Sequence, residues 1–110
     1  MTLKAFNALL ESTGVNVAHY DSVSEALPLI VFFETGRKYY WSDNKPVRKS
    51  WAVDVHFYTH TEFDPIVEVL EDLFAANDIP FDMVSVQYGQ YKDGRDGVIY
   101  YKFECEVCDG

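Results

Sequence analysis

The chain has 110 residues, a formal net charge of −9 and a hydrophobic content of 48%. This length fits a single domain, residues 1–110, and the apolar content is enough for a folded core. An acidic chain is a poor candidate for sequence-specific nucleic-acid binding, which needs clustered Lys and Arg. No apolar run is long enough to span a membrane and no signal-peptide pattern is visible, so a cytoplasmic protein with reduced cysteines is expected.

The first predicted elements are a helix and an apolar strand. Thr2 to Ser12 has apolar residues at helical spacing behind a Thr that can cap the helix, and Gly14 ends it. Val15 to Val17 is compatible with a short extended piece. Pro28 to Thr35 is an apolar run without alternation, which is typical of a strand covered on both faces. Gly36 is expected to break this strand.

A basic and aromatic segment follows. Tyr39 to Trp41 predicts a second strand, and Ser42 to Pro46 predicts a turn or a long loop. Residues 35–50 carry five basic side chains and one acidic one, Asp43, which gives a local charge of +4. A segment of this composition is expected to project into solvent, where loops with a function usually contact partners.

The centre of the chain predicts one strand followed by one helix. Trp51 to Tyr58 alternates apolar and polar residues, which indicates a half-buried strand. Asp64 and Pro65 predict the start of a helix, with Asp as N-cap and Pro in the first helical position. The helix is expected to end at Asn77 in a left-handed conformation. Residues 62–78 carry six acidic side chains and no basic one, a local charge of −6.

Two strands complete the predicted fold. Met83 to Tyr91 predicts a fourth strand, Lys92 to Gly97 a tight turn, and Ile99 to Val107 a fifth strand with clear alternation. The predicted order is therefore α-β-β-β-α-β-β. This order indicates an α+β fold with a mainly antiparallel sheet and helices packed against it.

The two cysteines are the best candidates for a redox or metal site, but their spacing and position argue against both. Cys105 and Cys108 form a C-x-x-C pair, but the pair lies at the end of a strand, where residues three apart point to opposite faces. A zinc site would need two more ligands, and His56 and His60 are the only histidines with suitable spacing. Alternation places His56 on the face opposite that of Cys105. No metal site or cofactor is expected.

Catalytic residues are not expected either. Glu68, Glu71 and Asp72 could suggest paired catalytic carboxylates, but they lie on the polar side of their helix, and acid–base work needs a partly desolvated pocket. No nucleophile elbow, P-loop or dinucleotide motif is present. The sequence therefore favours a protein that is not an enzyme.

Two stretches give the chain a resemblance to a known family. One is Leu27 to Phe32, an early apolar strand introduced by Leu-Pro. The other is Trp51 to Tyr58, followed by a polar gap and the helix from Pro65 to Ala76. Together with the order of elements, they resemble the tail-terminator (tail-completion) proteins of long-tailed phages and prophages. Other neck proteins and minor capsid components of these phages have small α+β folds of the same kind.

The resemblance implies a structural role in the virion. Such proteins form a ring, commonly six-fold, that caps the tail tube, stops its polymerisation and joins it to the head–tail connector, with DNA passing through the ring. The protein would assemble in the host cytoplasm and remain in the tail or neck of the virion. The expected partners are other copies of the chain, the tail-tube protein and the connector.

The charge pattern adds an interface hypothesis. A closed ring uses head-to-tail contacts between two different surfaces of each subunit, and basic and acidic patches are suitable surfaces. The hypothesis assigns subunit or partner contacts to the basic segment and the acidic helix: Arg37, Lys38, Tyr40, Trp41, Lys45, Arg48, Lys49, Glu68, Glu71 and Asp72. A solvated surface with no partner would have the same pattern.

Two other functions remain open from the sequence. A small acidic α+β protein could be an inhibitor or immunity-type protein that binds a basic partner one to one. A small-molecule pocket could also be built from aromatic residues. The side chains considered for it are Tyr39, Tyr40, Trp41, Tyr88 and Tyr101.

Overall fold

The computed structural model describes residues 1–20, 27–90 and 97–109. The predicted order α-β-β-β-α-β-β is confirmed, and so is the α+β class. Most of the predicted turn at Lys92 to Gly97 lies outside the described residues. The elements are α1 (Leu3–Glu11), β1 (Asn16–His19), β2 (Leu29–Ser42), β3 (Lys45–Thr59), α2 (Ile66–Ala76), β4 (Phe81–Gln90) and β5 (Gly97–Asp109).

The strands of the first half are divided differently from the prediction. The apolar run and the aromatic strand that follows it are one continuous strand, β2, and the extended piece near Val17 is β1. Gly36 does not break β2, because it lies at a β-bulge where the pairing with β3 shifts by one residue. A bulge accommodates the extra residue and lets the strand continue.

The sheet has the strand order β1-β2-β3-β5-β4. β1 pairs with β2 in parallel, and the other neighbouring pairs are antiparallel. Val53, Val55 and Phe57 on β3 are buried under the two helices. The intervening positions of β3 point to the other side of the sheet, which is called the open face below.

Aromatic rings fill the core between the helices and the sheet. Phe6 of α1 lies 5.6 Å from Phe32 of β2 between ring centroids, so α1 covers the β2 side of the sheet. Phe74 of α2 lies 5.4 Å from Phe81 of β4 and 5.8 Å from Phe103 of β5, so α2 covers the β4 side. The two helices meet at Phe6 and Phe74, whose rings stack at 6.0 Å.

The helix ends agree with the predicted caps in part. The Thr2 hydroxyl accepts a hydrogen bond from the Ala5 N–H at 3.0 Å, as an N-cap should. Asp64 accepts one from the Ile66 N–H at 2.9 Å, but α2 begins one residue later than predicted, and Pro65 holds the cap position. The predicted left-handed stop at Asn77 is wrong, because the residue with positive φ (56°) is Asp78.

The predicted loop after Trp41 is a tight hairpin. Asp43 and Asn44 have φ angles of 51° and 64°, and two left-handed residues in succession form the two-residue turn that best matches the twist of paired strands. β2 and β3 therefore continue as a pair past the end of β5, which pairs with β3 only as far as Lys49. Residues 36–49, called the hairpin arm below, help to make the molecule elongated, with extents of 57 × 25 × 22 Å.

Candidate functional site

The hairpin arm is the most exposed part of the described sheet. The side chains of Tyr39, Trp41 and Val47 are 49%, 64% and 65% exposed, respectively. Of the nine Lys and Arg residues in the chain, five lie in the arm: Arg37, Lys38, Lys45, Arg48 and Lys49. Exposed Tyr, Trp and Arg side chains, which the arm carries, are typical of protein interfaces.

Cation–π contacts order several arm side chains. The Arg37 guanidinium lies 4.1 Å from the ring centroid of Trp51, on the helix side of the sheet. Lys38 and Arg48 each lie 5.0 Å from the ring centroid of Tyr40, on the open face. Such contacts hold long cationic side chains in defined positions. The arm therefore presents its charges on both faces of the hairpin.

Glu106 of β5 anchors the base of the arm. The Tyr40 hydroxyl donates a hydrogen bond to Glu106 Oε1 at 2.5 Å, and the buried Ser50 hydroxyl donates to the same oxygen at 2.8 Å. These two hydrogen bonds, with Lys38 and Arg48 nearby, lower the pKa of the Glu106 carboxyl. The ionised carboxylate thus joins β2 and β3 of the arm to β5.

Replacing Glu106 with Gln should weaken this anchor in a pH-dependent way. Because the folded-state pKa of Glu106 is depressed, its stabilisation is present above the unfolded pKa and is lost as pH falls through the folded pKa. E106Q should therefore lower the free energy of unfolding at pH 7 by roughly 1 kcal/mol, with less effect in acid. Urea unfolding at pH 7 and pH 3 measures this.

The control for that prediction is Glu104→Gln. Glu104 is a carboxylate on the same face of β5, and its contact to Lys102 at 4.0 Å is solvent-exposed. E104Q should change the free energy of unfolding little at either pH. Equal effects of E104Q and E106Q would show that the hydrogen bonds to Glu106 contribute no specific anchor.

The acidic surface lies on α2, away from the arm tip. Glu68 and Asp72 are exposed and Glu71 is half-buried, whereas Leu70 and Phe74 on the opposite side enter the core. α2 follows the end of β3 that is opposite the arm and covers the β4 side of the sheet. The two charged surfaces are therefore displaced from each other along the molecule, as a head-to-tail contact between copies requires.

A polar cluster on the open face was not found by sequence reasoning. The Tyr100 hydroxyl lies 2.8 Å from His56 Nδ1, and Lys102 Nζ lies 3.6 Å from the Asp54 carboxylate. Tyr58 and Tyr100 face each other in register, and their rings stack at 5.0 Å. The alternation of these residues along β3 and β5 is visible in the sequence. The register that brings the residues of the two strands together is not.

Burial sets the protonation of this cluster. Burial lowers the pKa of His56, although the nearby Asp54 carboxylate opposes the effect. Burial also raises the pKa of Tyr58 and Tyr100. A neutral imidazole hydrogen-bonded to a neutral phenol is therefore the dominant state at pH 7. These contacts connect the two central strands across the open face.

The structure separates the residues of the aromatic pocket considered above. Tyr39 pairs with Lys49 at the arm end of β3. Tyr88 pairs with Ile99, which pairs with Thr59 at the other end of β3. The ten residues between these two levels correspond to roughly 33 Å of strand. The arm tyrosines cannot line a pocket with Tyr88.

The cysteine pair is divided between the two faces of the sheet, as predicted. Cys105 is buried under the helices, and burial raises the pKa of its thiol to about 12. Cys108 lies on the open face, where Arg48 donates a hydrogen bond to its sulfur at 2.8 Å. His56 is also on the open face, opposite Cys105. Within residues 1–20, 27–90 and 97–109, no group of three or more His, Cys, Asp or Glu side chains is placed to hold a metal ion.

Comparison with known proteins adds no family. No protein-family model matches the chain, and no curated protein matches it. Across the part of the chain that the structure describes, no helix is long and apolar enough to cross a membrane.

Proposed function

We propose that this chain is a structural protein of a phage or prophage virion, similar to the tail terminators that cap the tail tube as a ring and join it to the head connector. The observation that carries the proposal is the hairpin arm, whose tip extends past the end of β5 and which is basic and aromatic. Ordering exposed side chains costs conformational entropy, and a contact with a neighbouring molecule would offset that cost. A ring subunit uses the arm to reach the next copy.

The distribution of charge supports the same proposal. The arm carries five of the nine basic residues, and the acidic surface of α2 lies elsewhere on the chain. Two different complementary surfaces on one subunit allow a head-to-tail contact, which closes into a ring when the rotation between subunits permits. The proposed ring binds the tail tube on one side and the connector on the other.

Reversing the charge at the arm tip tests the proposal. The genes that flank the one for this chain are first sequenced. If they encode a tail-tube protein and a connector, the three proteins are co-produced and tail ends are imaged by electron microscopy. Wild-type protein should cap tubes of bounded length. K45E/R48E/K49E should leave tubes uncapped and overgrown, with the largest defect at low salt, because screening weakens charge contacts.

A charge-preserving variant serves as the control. K45R/R48K/K49R keeps the charge of the arm and should cap tubes as the wild type does. Tubes that are capped equally by the charge-reversed variant would reject the arm as the contact. Failure of the wild-type chain to bind tube ends, with tight one-to-one binding to a basic neighbour protein, would replace the virion role with the inhibitor role.

A further inference from the structure

Among the described residues, two strand edges of the sheet have no paired neighbour along most of their length. β4 is the last strand of the described sheet, and its neighbour there is β5. On the other side, β1 covers β2 only from Leu29 to Phe32 among the described residues. β2 from Phe33 to Ser42 therefore has a described partner on one side only. An open edge presents unpaired N–H and C=O groups that can pair with another strand.

The β4 edge lacks most of the features that prevent strand addition. Met83, Val84, Val86 and Tyr88 are 37%, 44%, 39% and 78% exposed. Asp82 is the one charged residue in β4. Natural edges are usually shortened or carry several charges and prolines. The bulge after Met83 is the main irregularity, and pairing with β5 is regular from Ser85 onward.

The arm offers only one of its two edges for pairing. Pro46 lies on the β3 edge and has no backbone N–H to donate, so the β3 side of the arm is blocked. The β2 side contains no proline and pairs regularly with β3 from Gly36 to Tyr40. The β2 edge is therefore the side of the arm that can accept a strand.

We infer that β4 of one copy pairs with the β2 edge of the hairpin arm of a second copy, which joins the two sheets. The partner is taken to be a second copy on the basis of the proposed function. Within one chain, successive antiparallel pairings make β2 and β4 antiparallel to each other. If the second copy is generated by rotation about an axis parallel to the strands, its β2 keeps the direction of the first copy's β2. The new pair of β4 with β2 is then antiparallel, which is the commoner arrangement.

The two edges occupy different levels of the sheet. β4 pairs with the part of β5 that lies beside the second half of β3, whereas the arm extends from the first half of β3. Joining them staggers successive copies along the strands, and a closed sheet needs such a stagger between its strands. The arm of one copy then lies beyond its own β1 and leaves that short strand undisturbed.

Charge complementarity favours a second copy over other occupants. α2 covers the β4 side of the sheet and exposes Glu68 and Asp72. On the arm, Tyr39 and Lys49 are paired residues that lie on this same helix side of the sheet. Edge pairing therefore brings the side of the arm that carries Lys49 in one copy beside the acidic helix of the next.

The test uses two variants that each block one edge. V86K/Y88K adds positive charge to the helix side of β4, and Y39E/K49E adds negative charge to the helix side of the arm. Both pairs of residues are solvent-accessible, so the fold should persist. Sedimentation at up to about 1 mM protein in low salt should show self-association of the wild type and none of either variant alone. Mixing the two variants should restore association, because the intact edges still pair and the Lys-bearing β4 of one variant meets the Glu-bearing arm of the other.

V86E/Y88E is the matched control. This variant removes the same apolar groups but places two carboxylates opposite the basic arm. It should therefore self-associate at least tenfold more tightly than V86K/Y88K. If V86K/Y88K does not fold by circular dichroism, the single variant Y88K replaces it. A wild type that is monomeric at about 1 mM, or a variant mixture that stays monomeric, would overturn edge pairing.

The outcomes also separate this inference from the virion role. A wild-type chain that associates through these edges but does not bind tail tubes rejects the virion role and keeps the edge pairing. Tubes that are capped normally by both blocked variants reject the edge pairing and keep the virion role. Hydrogen exchange of the Ser85–Tyr88 amides should slow on association only if β4 gains a strand.

Discussion

Replacing Phe74 with Ala should lower the free energy of unfolding by about 3–5 kcal/mol, the usual cost of removing a fully buried aromatic ring. Phe74 is fully buried and contacts rings from three other elements, which are Phe6 of α1, Phe81 of β4 and Phe103 of β5. Few of these rings can move into the space left behind without losing contacts elsewhere. The cavity cost should therefore be near the upper end of the range.

Urea unfolding followed by circular dichroism measures this effect. V69A on the same helix is the control, because Val69 is 42% exposed and its truncation should cost less than about 1 kcal/mol. Similar losses for the two variants would mean that α2 does not pack on the sheet through Phe74. In that case, the contact of Phe74 with Phe81 would not place the acidic surface of α2 beside β4.

Sequence reasoning predicted the central strand–helix unit well for physical reasons. Trp51 to Tyr58 alternates strictly, and β3 does bury every second residue there. The stripe that includes Leu70 and Phe74 has helical spacing, and both residues are buried. Signals of this kind are local, because each residue's environment follows from the period of its own element.

The length of β2 could not be predicted in the same way. Glycine has a low strand propensity, so the local sequence predicts that β2 ends at Gly36. Pairing with β3 resumes at Gly36 after a bulge, and the strand continues. Likewise, the composition of Ser42 to Pro46 predicts a turn or long loop, whereas only Asp43 and Asn44 lie between the strands. Pairing with a neighbouring strand overrode the local preference in both places.

The composition of the candidate site could be predicted from the sequence, but the positions of its residues in the fold could not. The excess of basic residues in the arm is visible in the sequence, but whether they lie on a loose loop or an ordered hairpin is not. The cluster at His56 and the anchor at Glu106 depend on which residues of β3 and β5 face each other, such as His56 with Lys102. The open edge of β4 depends on strand order. These properties arise from long-range pairing, which no local pattern encodes.

The two cysteines should differ in alkylation rate by about a thousandfold or more. With a pKa of about 12, only about one Cys105 thiol in ten thousand is ionised at pH 8, against about one in four for an ordinary cysteine. The thiolate is the reactive form. Cys105 is also buried under the helices, whereas Cys108 is only half-buried on the open face.

Iodoacetamide labelling of the single-cysteine variants C105S and C108S, followed by mass spectrometry at pH 8, measures these rates. C105S, which keeps Cys108, should label quickly in the native state, and both variants should label at similar rates in urea. Fast native labelling of C108S would mean that the helices do not cover β5. Thiols on opposite faces of one strand cannot bind a common zinc ion or form a disulfide with each other. Slow labelling of Cys105 alone would therefore exclude a C-x-x-C site. Cys105 would then serve core packing, and Cys108 the contact with Arg48.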